Sequence, residues 1–169
     1  MGLLQPHGRY RRRDGEADLT GRLLGIARHE RSRGPIDLLE AAEVGLLTGV
    51  EGCRHGSRKP GHNRRQVTAI ALASWEAATV ELGQSIPWAE RRINLLLDGL
   101  DLERCAGARL AFEGGVELAV TGWCDPCRRM EAVAEGLEAA LMPGWRAGIN
   151  MTVVAAGRLR VGEEVRMTW

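Results

Sequence analysis

Two cysteines, an aspartate, a proline and two arginines stand together in Cys124-Asp125-Pro126-Cys127-Arg128-Arg129, directly after an apolar run that ends at Trp123. Asp125 is a good helix N-cap, and Pro126 suits the first helical position because its missing N–H would have no partner there. The spacing of Met130, Val133, Leu137 and Leu141 predicts a helix from Asp125 to the breaker pair Pro143-Gly144, with Gly136 weakening its middle. Cys127 then lies in the first turn, its sulfur among unpaired backbone N–H groups. Those donors, the helix dipole and the adjacent Arg128 and Arg129 favour thiolate over thiol, and Asp125 opposes them. A thiolate so placed can attack an electrophile, carry a sulfur atom or ligate a soft metal. A small apolar core residue is the other reading of the same position.

Three more sulfur or nitrogen donors widen the choice. Cys53-x-His55 together with Cys124-x-x-Cys127 offers three sulfurs and an imidazole, a set that zinc accepts in a closed tetrahedral site. Cys124 and Cys127 alone form the Cys-x-x-Cys pair in which one thiol attacks and the other resolves. His55 and His62 are candidate proton donors if there is turnover. Trp123 and Trp145 can wall a site or pack in the core.

Length and composition limit the frame around these residues. The 169 residues suit one domain, with a tail over residues 1–20 and the domain over 21–169. A formal charge of +1, from 23 basic against 22 acidic side chains, gives no sign of a nucleic-acid binder. Every basic residue except Lys59 is an arginine, the side chain that grips planar oxyanions with two prongs. Residues 1–13 contain no apolar signal core, and no run approaches membrane-spanning length, so the expectation is a cytoplasmic protein with no membrane partner. In that compartment thiols stay reduced, and paired cysteines indicate redox, metal or cofactor work.

The elements that must position Cys127 follow from periodicity. Residues 21–31 read as a first strand, and an irregular stretch follows it. Residues 50–65 form a long charged loop carrying Gly49, Gly52, Gly56, Pro60 and Gly61 in or beside it. Residues 66–73 are a second strand, Ser74 caps a short helix with Trp75, Ala78 and Leu82, and residues 91–97 are a third strand before the turn at Asp98-Gly99. Residues 109–112 and 116–121 make a hairpin around Gly114-Gly115. Residues 149–155 and short alternating strands around a turn at Gly157 complete the chain. Many short strands with glycine turns and few helices give a mainly β (α+β) fold, a closed or partly closed β-barrel with peripheral helices.

Several separated blocks together resemble the MOSC domain, named for the C-terminal domain of molybdenum cofactor sulfurases, and in particular its small stand-alone bacterial type. They are Gly49-Val50-Glu51-Gly52-Cys53-Arg54, Lys59-Pro60-Gly61, Arg65-Gln66-Val67-Thr68, Arg92-Ile93-Asn94-Leu95, Gly99-Leu100-Asp101-Leu102, Pro126-Cys127, Arg146-Ala147-Gly148 and residues 157–165. The resemblance implies a β-barrel whose pocket holds an essential cysteine, here Cys127. It also implies sulfur carried there as a persulfide, or molybdenum cofactor bound through that sulfur, with a sulfur donor or a molybdoenzyme as partner protein. Some relatives reduce N-hydroxylated substrates, so sulfur transfer and cofactor-dependent reduction are the activities to weigh against a pure carrier. A site for such a cofactor wants one soft ligand, donors for a pterin and cations for a phosphate. Cys127 can supply the first, Asn94 and Gln66 the second, and Arg65, Arg92, Arg146 and Arg128 the cations. Pyridoxal phosphate is not expected, because Lys59 is the one lysine and its context is unsuitable. Cys53 stands where the family commonly has aspartate, and Cys124 is an unusual residue before the Pro-Cys pair.

Overall fold

The computed structural model describes residues 19–56 and 63–169. The tail before residue 19 and the loop residues Arg58, Lys59, Pro60, Gly61 and His62 lie outside the described residues. The strands are β1 (Leu19–Arg28), β2 (Asp37–Leu39), β3 (Ala41–Gly45), β4 (Gly49–Val50), β5 (Val67–Ala71), β6 (Leu95–Asp98), β7 (Arg109–Phe112), β8 (Glu117–Trp123), β9 (Ile149–Ala155), β10 (Gly157–Arg160) and β11 (Glu164–Thr168). The helices are α1 (Leu72–Glu81), α2 (Arg129–Val133) and α3 (Leu137–Ala140).

Strand order β11-β7-β8-β9-β5-β6-β1 closes on itself through β1–β11 pairing, so seven strands form a barrel and β2 is added at β1. The neighbours pair antiparallel except β5 with β6, which are parallel and are joined by the crossover containing α1. Alternation explains the outer strands. In β7 Leu110 and Phe112 point inward and Arg109 and Ala111 outward, and in β11 Val165 and Met167 are buried between exposed Glu164 and Arg166. β5 has no such alternation because it is covered on both faces. Val67, Ala69 and Ala71 join the barrel interior, and Ile70 joins a second core with Trp75, Met130, Leu137 and Leu141 beneath the helices.

The strand expected at residues 66–73 is present in shortened form, the one expected at 91–97 starts only at Leu95, and the 109–121 hairpin is present with its second strand running on to Trp123. Four local expectations are corrected. The stretch after β1 is not irregular: β3 pairs with β10 and β4 in a small second sheet, a partnership more than a hundred residues apart that no local pattern carries. Gly157 opens β10 instead of making a turn, and it must be glycine because a Cβ there would collide with the Gly114 carbonyl. Ser74 is inside α1, which starts at Leu72 without a side-chain cap. The helix expected from Asp125 is two short helices broken where Ala134 is extended and Gly136 takes φ 82°. Glu131 stabilises that break by accepting from the Gly136 N–H at 2.9 Å and the Glu138 N–H at 3.0 Å.

Candidate functional site

The strand order sets the stage for the site. Across β8, β9, β5, β6 and β1 the register brings Gly122 beside Asn150, Asn150 beside Thr68, and Thr68 to Asn94 just before β6. Asn94 in turn reaches the Ala27 carbonyl at 3.1 Å, two residues before His29. The result is one polar row over the outer face of the barrel, beside the helix-covered core.

His29 marks the end of this row. It is buried, its ring meets that of His55 edge to face with centroids 4.7 Å apart, and its carbonyl accepts from the Arg54 N–H at 2.8 Å. Burial lowers its pKa from 6.5 to about 4, and the charges of Arg92, Arg54, Arg65 and Arg129 push it the same way. His29 is therefore a neutral imidazole at pH 7. The charges of four guanidinium groups thus reach one buried ring, from the 50–66 loop, the turn before β6 and the start of α2. Arg92 adopts the left-handed conformation at φ 60°, which costs a non-glycine residue about 1–2 kcal/mol. In that conformation its guanidinium donates to the Gly34 carbonyl at 2.9 Å.

Cys127 is exposed, whereas Cys53, Cys105 and Cys124 are buried. It does not sit in a helical first turn: α2 begins at Arg129, and Cys127 lies just before the helix cap Arg128, its carbonyl accepting from the Met130 N–H at 2.8 Å. The N-cap role expected of Asp125 and the helix-terminus donors expected around the sulfur are thus corrected, and Arg128 and Arg129 stay as its adjacent cations. What holds the turn is Arg91, which is only 4% exposed. Its Nε donates to the Ala147 carbonyl at 3.2 Å, and its Nη2 donates to the carbonyls of Cys124 at 3.0 Å and Asp125 at 3.2 Å and to the Cys124 sulfur at 3.6 Å. Cys124 also donates its N–H to the Gly148 carbonyl at 2.9 Å, and Gly148, at φ 104°, lies too close to the Ala69 carbonyl for any Cβ. Arg91 and Gly148 together carry the turn after β8 back toward the beginning of β6.

The other expected site residues divide. Arg65 and Arg92 belong to the group around His29, and Arg128 is exposed beside Cys127. Asn94 is 1% exposed and its amide is fully occupied: Oδ1 accepts from Thr68 N and Oγ1 at 3.1 and 3.2 Å, and Nδ2 donates to Ala27 O and, at 3.3 Å, to the Cys53 sulfur. Gln66 is likewise committed, donating to the Leu46 carbonyl at 2.7 Å and accepting from Val153 N at 2.8 Å. It lines a cavity of about 450 Å³ with Leu46, Leu47, Asn63, Arg64, Thr152 and Val153. Arg146 is remote from the group, paired with Glu81 at 2.7 Å and bonded to the Ala140 carbonyl. Cys53, His55, Cys124 and Cys127 are not assembled for zinc: no group of three or more His, Cys, Asp or Glu able to hold a metal ion occurs among the described residues.

His29 and Arg91 are site residues that local pattern does not single out. For His29 the one signal is its place two residues after the apolar run Leu23-Leu24-Gly25-Ile26-Ala27, within the expected first strand. Arg91 carries no such signal, because its partners are main-chain carbonyls.

A barrel with an exposed cysteine on its rim and arginines beside it can be compared with known proteins. The family model described as MOSC domain matches residues 56–166. This chain belongs to the MOSC domain family. Solved structures agree in fold. The YuaD protein from Bacillus subtilis superposes with a TM-score of 0.78 at 19% identity, covering 89% of this chain and 97% of that one. YiiM from Escherichia coli gives 0.63 at 14% identity over 88% of this chain and 70% of that one, and YiiM from Geobacillus stearothermophilus 0.58 at 15% over 88% and 73%. No curated protein matches the chain in sequence. Among the described residues of this MOSC domain, no helix is long and apolar enough to cross a membrane.

Proposed function

We propose that this MOSC domain binds molybdenum cofactor, with Cys127 as the sulfur ligand and the arginines around His29 as the seat of its phosphate. The observation that carries this reading is the pairing of the one exposed cysteine with a positive region made by Arg54, Arg65, Arg92 and Arg129. A soft sulfur beside hard cations suits a ligand that is part soft metal and part phosphate ester. The cofactor would supply the redox or sulfur chemistry of the metal. The chain supplies a reachable thiol, cations beside it, and a neutral imidazole that does not compete with them by carrying a charge of its own.

Persulfide carriage is the second reading, and the exposure of Cys127 supports it as well. In that step the Cys127 thiolate attacks the outer sulfur of a donor persulfide, the donor S–S bond breaks, and the donor leaves as its thiolate. The arginines favour the cofactor reading, because a bare sulfur carrier has no use for cations that could hold a phosphate. Both readings place the domain in the cytoplasm, where its four cysteines stay as thiols, with a sulfur-donating protein or a molybdoenzyme as its partner.

Elemental analysis and intact mass of the protein purified without strong reductant separate the two. Molybdenum with a pterin supports the first, a gain of one sulfur on Cys127 supports the second, and a bare thiol with neither contradicts both.

A further inference from the structure

The cavity of about 450 Å³ lies between the turn that joins β3 to β4 and the middle of β9. One side chain ties these two walls together: Gln66 donates from Nε2 to the Leu46 carbonyl at 2.7 Å and accepts from the Val153 N–H at 2.8 Å. Asn63 and Arg64 form a third wall, and both are held by the fold. Asn63 donates from Nδ2 to the His55 carbonyl at 2.6 Å and accepts from the Arg65 N–H at 2.9 Å. The Arg64 carbonyl accepts from the Thr121 hydroxyl at 2.5 Å, and the Arg64 guanidinium donates from Nη2 to the Thr121 carbonyl at 3.3 Å. The walls are therefore set before anything binds, and the volume falls within the roughly 300–1,000 Å³ of small-molecule sites.

The lining combines an unmatched charge with uncovered hydrocarbon. Arg64 is exposed and has no acidic partner among the described residues, whereas Arg109, Arg146 and Arg158 are each paired with a glutamate. Its one side-chain hydrogen bond uses Nη2, which leaves Nε and Nη1 as donors. In the same cavity the consecutive residues Leu46 and Leu47 are 53% and 60% exposed, with Val153 beside them. Single surface leucines are ordinary, but two in succession at the mouth of a recess leave an apolar patch open to be covered. A guanidinium fork matches the two oxygens of a carboxylate, and one cation balances one negative charge. We infer that this cavity binds a small carboxylic acid with an apolar body, the carboxylate taken by Arg64 and the hydrocarbon laid against Leu46, Leu47 and Val153. The site differs in its residues from the one proposed for the cofactor, since none of Cys127, Arg54, Arg65, Arg92 and Arg129 lines it.

Calorimetric titration of the full-length protein with octanoate tests it, with acetate and 1-octanol as probes that carry the charge or the chain alone. The inference expects saturable octanoate binding at one site per chain, and binding weaker by about tenfold or more for acetate and for octanol, the loss of a charge-assisted hydrogen bond or of the apolar contact. Arg64→Gln is expected to weaken octanoate by the same factor, and Leu47→Ser to weaken it as well. Both residues are exposed, so the variants are expected to fold, with circular dichroism as the check. Arg22 serves as the control: it is exposed on β1 and donates to the Gly162 carbonyl, so Arg22→Gln keeps the parent affinity. Cys127→Ser keeps it too, because the thiol is not part of the cavity. Absence of saturable octanoate binding, equal affinity for octanol, or full affinity in Arg64→Gln would overturn the inference. An equal loss in Arg22→Gln would reduce it to general attraction of anions, and loss in Cys127→Ser would show that the acid binds at the thiol instead; either result also overturns it.

Discussion

Replacing Arg91 with methionine keeps an unbranched apolar stem and removes the four side-chain hydrogen bonds that hold the Cys127 turn. The lost bonds go to three carbonyls, those of Ala147, Cys124 and Asp125, and to the Cys124 sulfur. A hydrogen bond from a charged donor contributes about 1.5–3 kcal/mol. Three of them do not add in full, because the freed turn can swing toward water, and the guanidinium itself no longer has to be buried. A buried carbonyl left without its donor costs about 1–3 kcal/mol, so three that partly relax give about 3–5 kcal/mol as the expectation here. For a domain of this size that lowers Tm by roughly 10 °C. Arg91→Lys is expected to recover only part of the loss, since an ammonium cannot fork between Ala147 on one side and Cys124 on the other. The second readout is chemical. In the native protein Cys124 is buried beneath Arg91, and in Arg91→Met it becomes reachable by a thiol alkylating reagent at temperatures well below unfolding. A Tm within about 2 °C of the parent protein, with Cys124 still protected, would show that the turn is held by something else and that Arg91 is incidental.

Two further outcomes follow from the burial of the titratable groups. Alkylation at pH 8 followed by peptide mass mapping is expected to label Cys127 alone in the folded protein; Cys105 is buried, donates to the Leu102 carbonyl at 3.3 Å and has its pKa pushed up to about 12, so labelling of Cys105 before Cys127 would contradict the assigned exposures. His29 stays neutral in the fold down to about pH 4 while the unfolded chain takes up a proton near 6.5, so it makes the protein lose stability as pH falls through that window. Urea unfolding across the window should show a flatter pH dependence in His29→Gln, by no more than about 1.4 kcal/mol per pH unit, and an unchanged slope would mean that His29 is already solvated.

The barrel was legible because its outer strands alternate and its turns are written in glycine, as in the 109–121 hairpin. Cys127 and the neighbouring arginines were legible because local residue types announce their chemistry. The small sheet was not, since β3 and β4 are short and β3 owes its conformation to β10, a distant partner. The helix after Cys127 was misread in length because Met130, Val133, Leu137 and Leu141 keep a helical spacing across a break, and the apolar pattern records which residues face the core without recording the turn at Gly136. Asn94 and Gln66 look like ligand donors in sequence because polar residues in apolar strands need partners; those partners are other residues of the fold, a matter decided by register. His29 and Arg91 act only through groups brought to them by folding. Arg146 illustrates the opposite case, a family-block residue whose charge is spent on Glu81 between α1 and the segment after α3.

The central claim is that Cys127 is the sulfur at which this domain holds its cofactor. Molybdenum and pterin content per chain, measured in the parent protein and in Cys127→Ser after expression with molybdate, tests it most directly, with circular dichroism confirming that both are folded. The account predicts metal and pterin together in the parent protein and loss of the metal in the variant; equal molybdenum in the two proteins would contradict it.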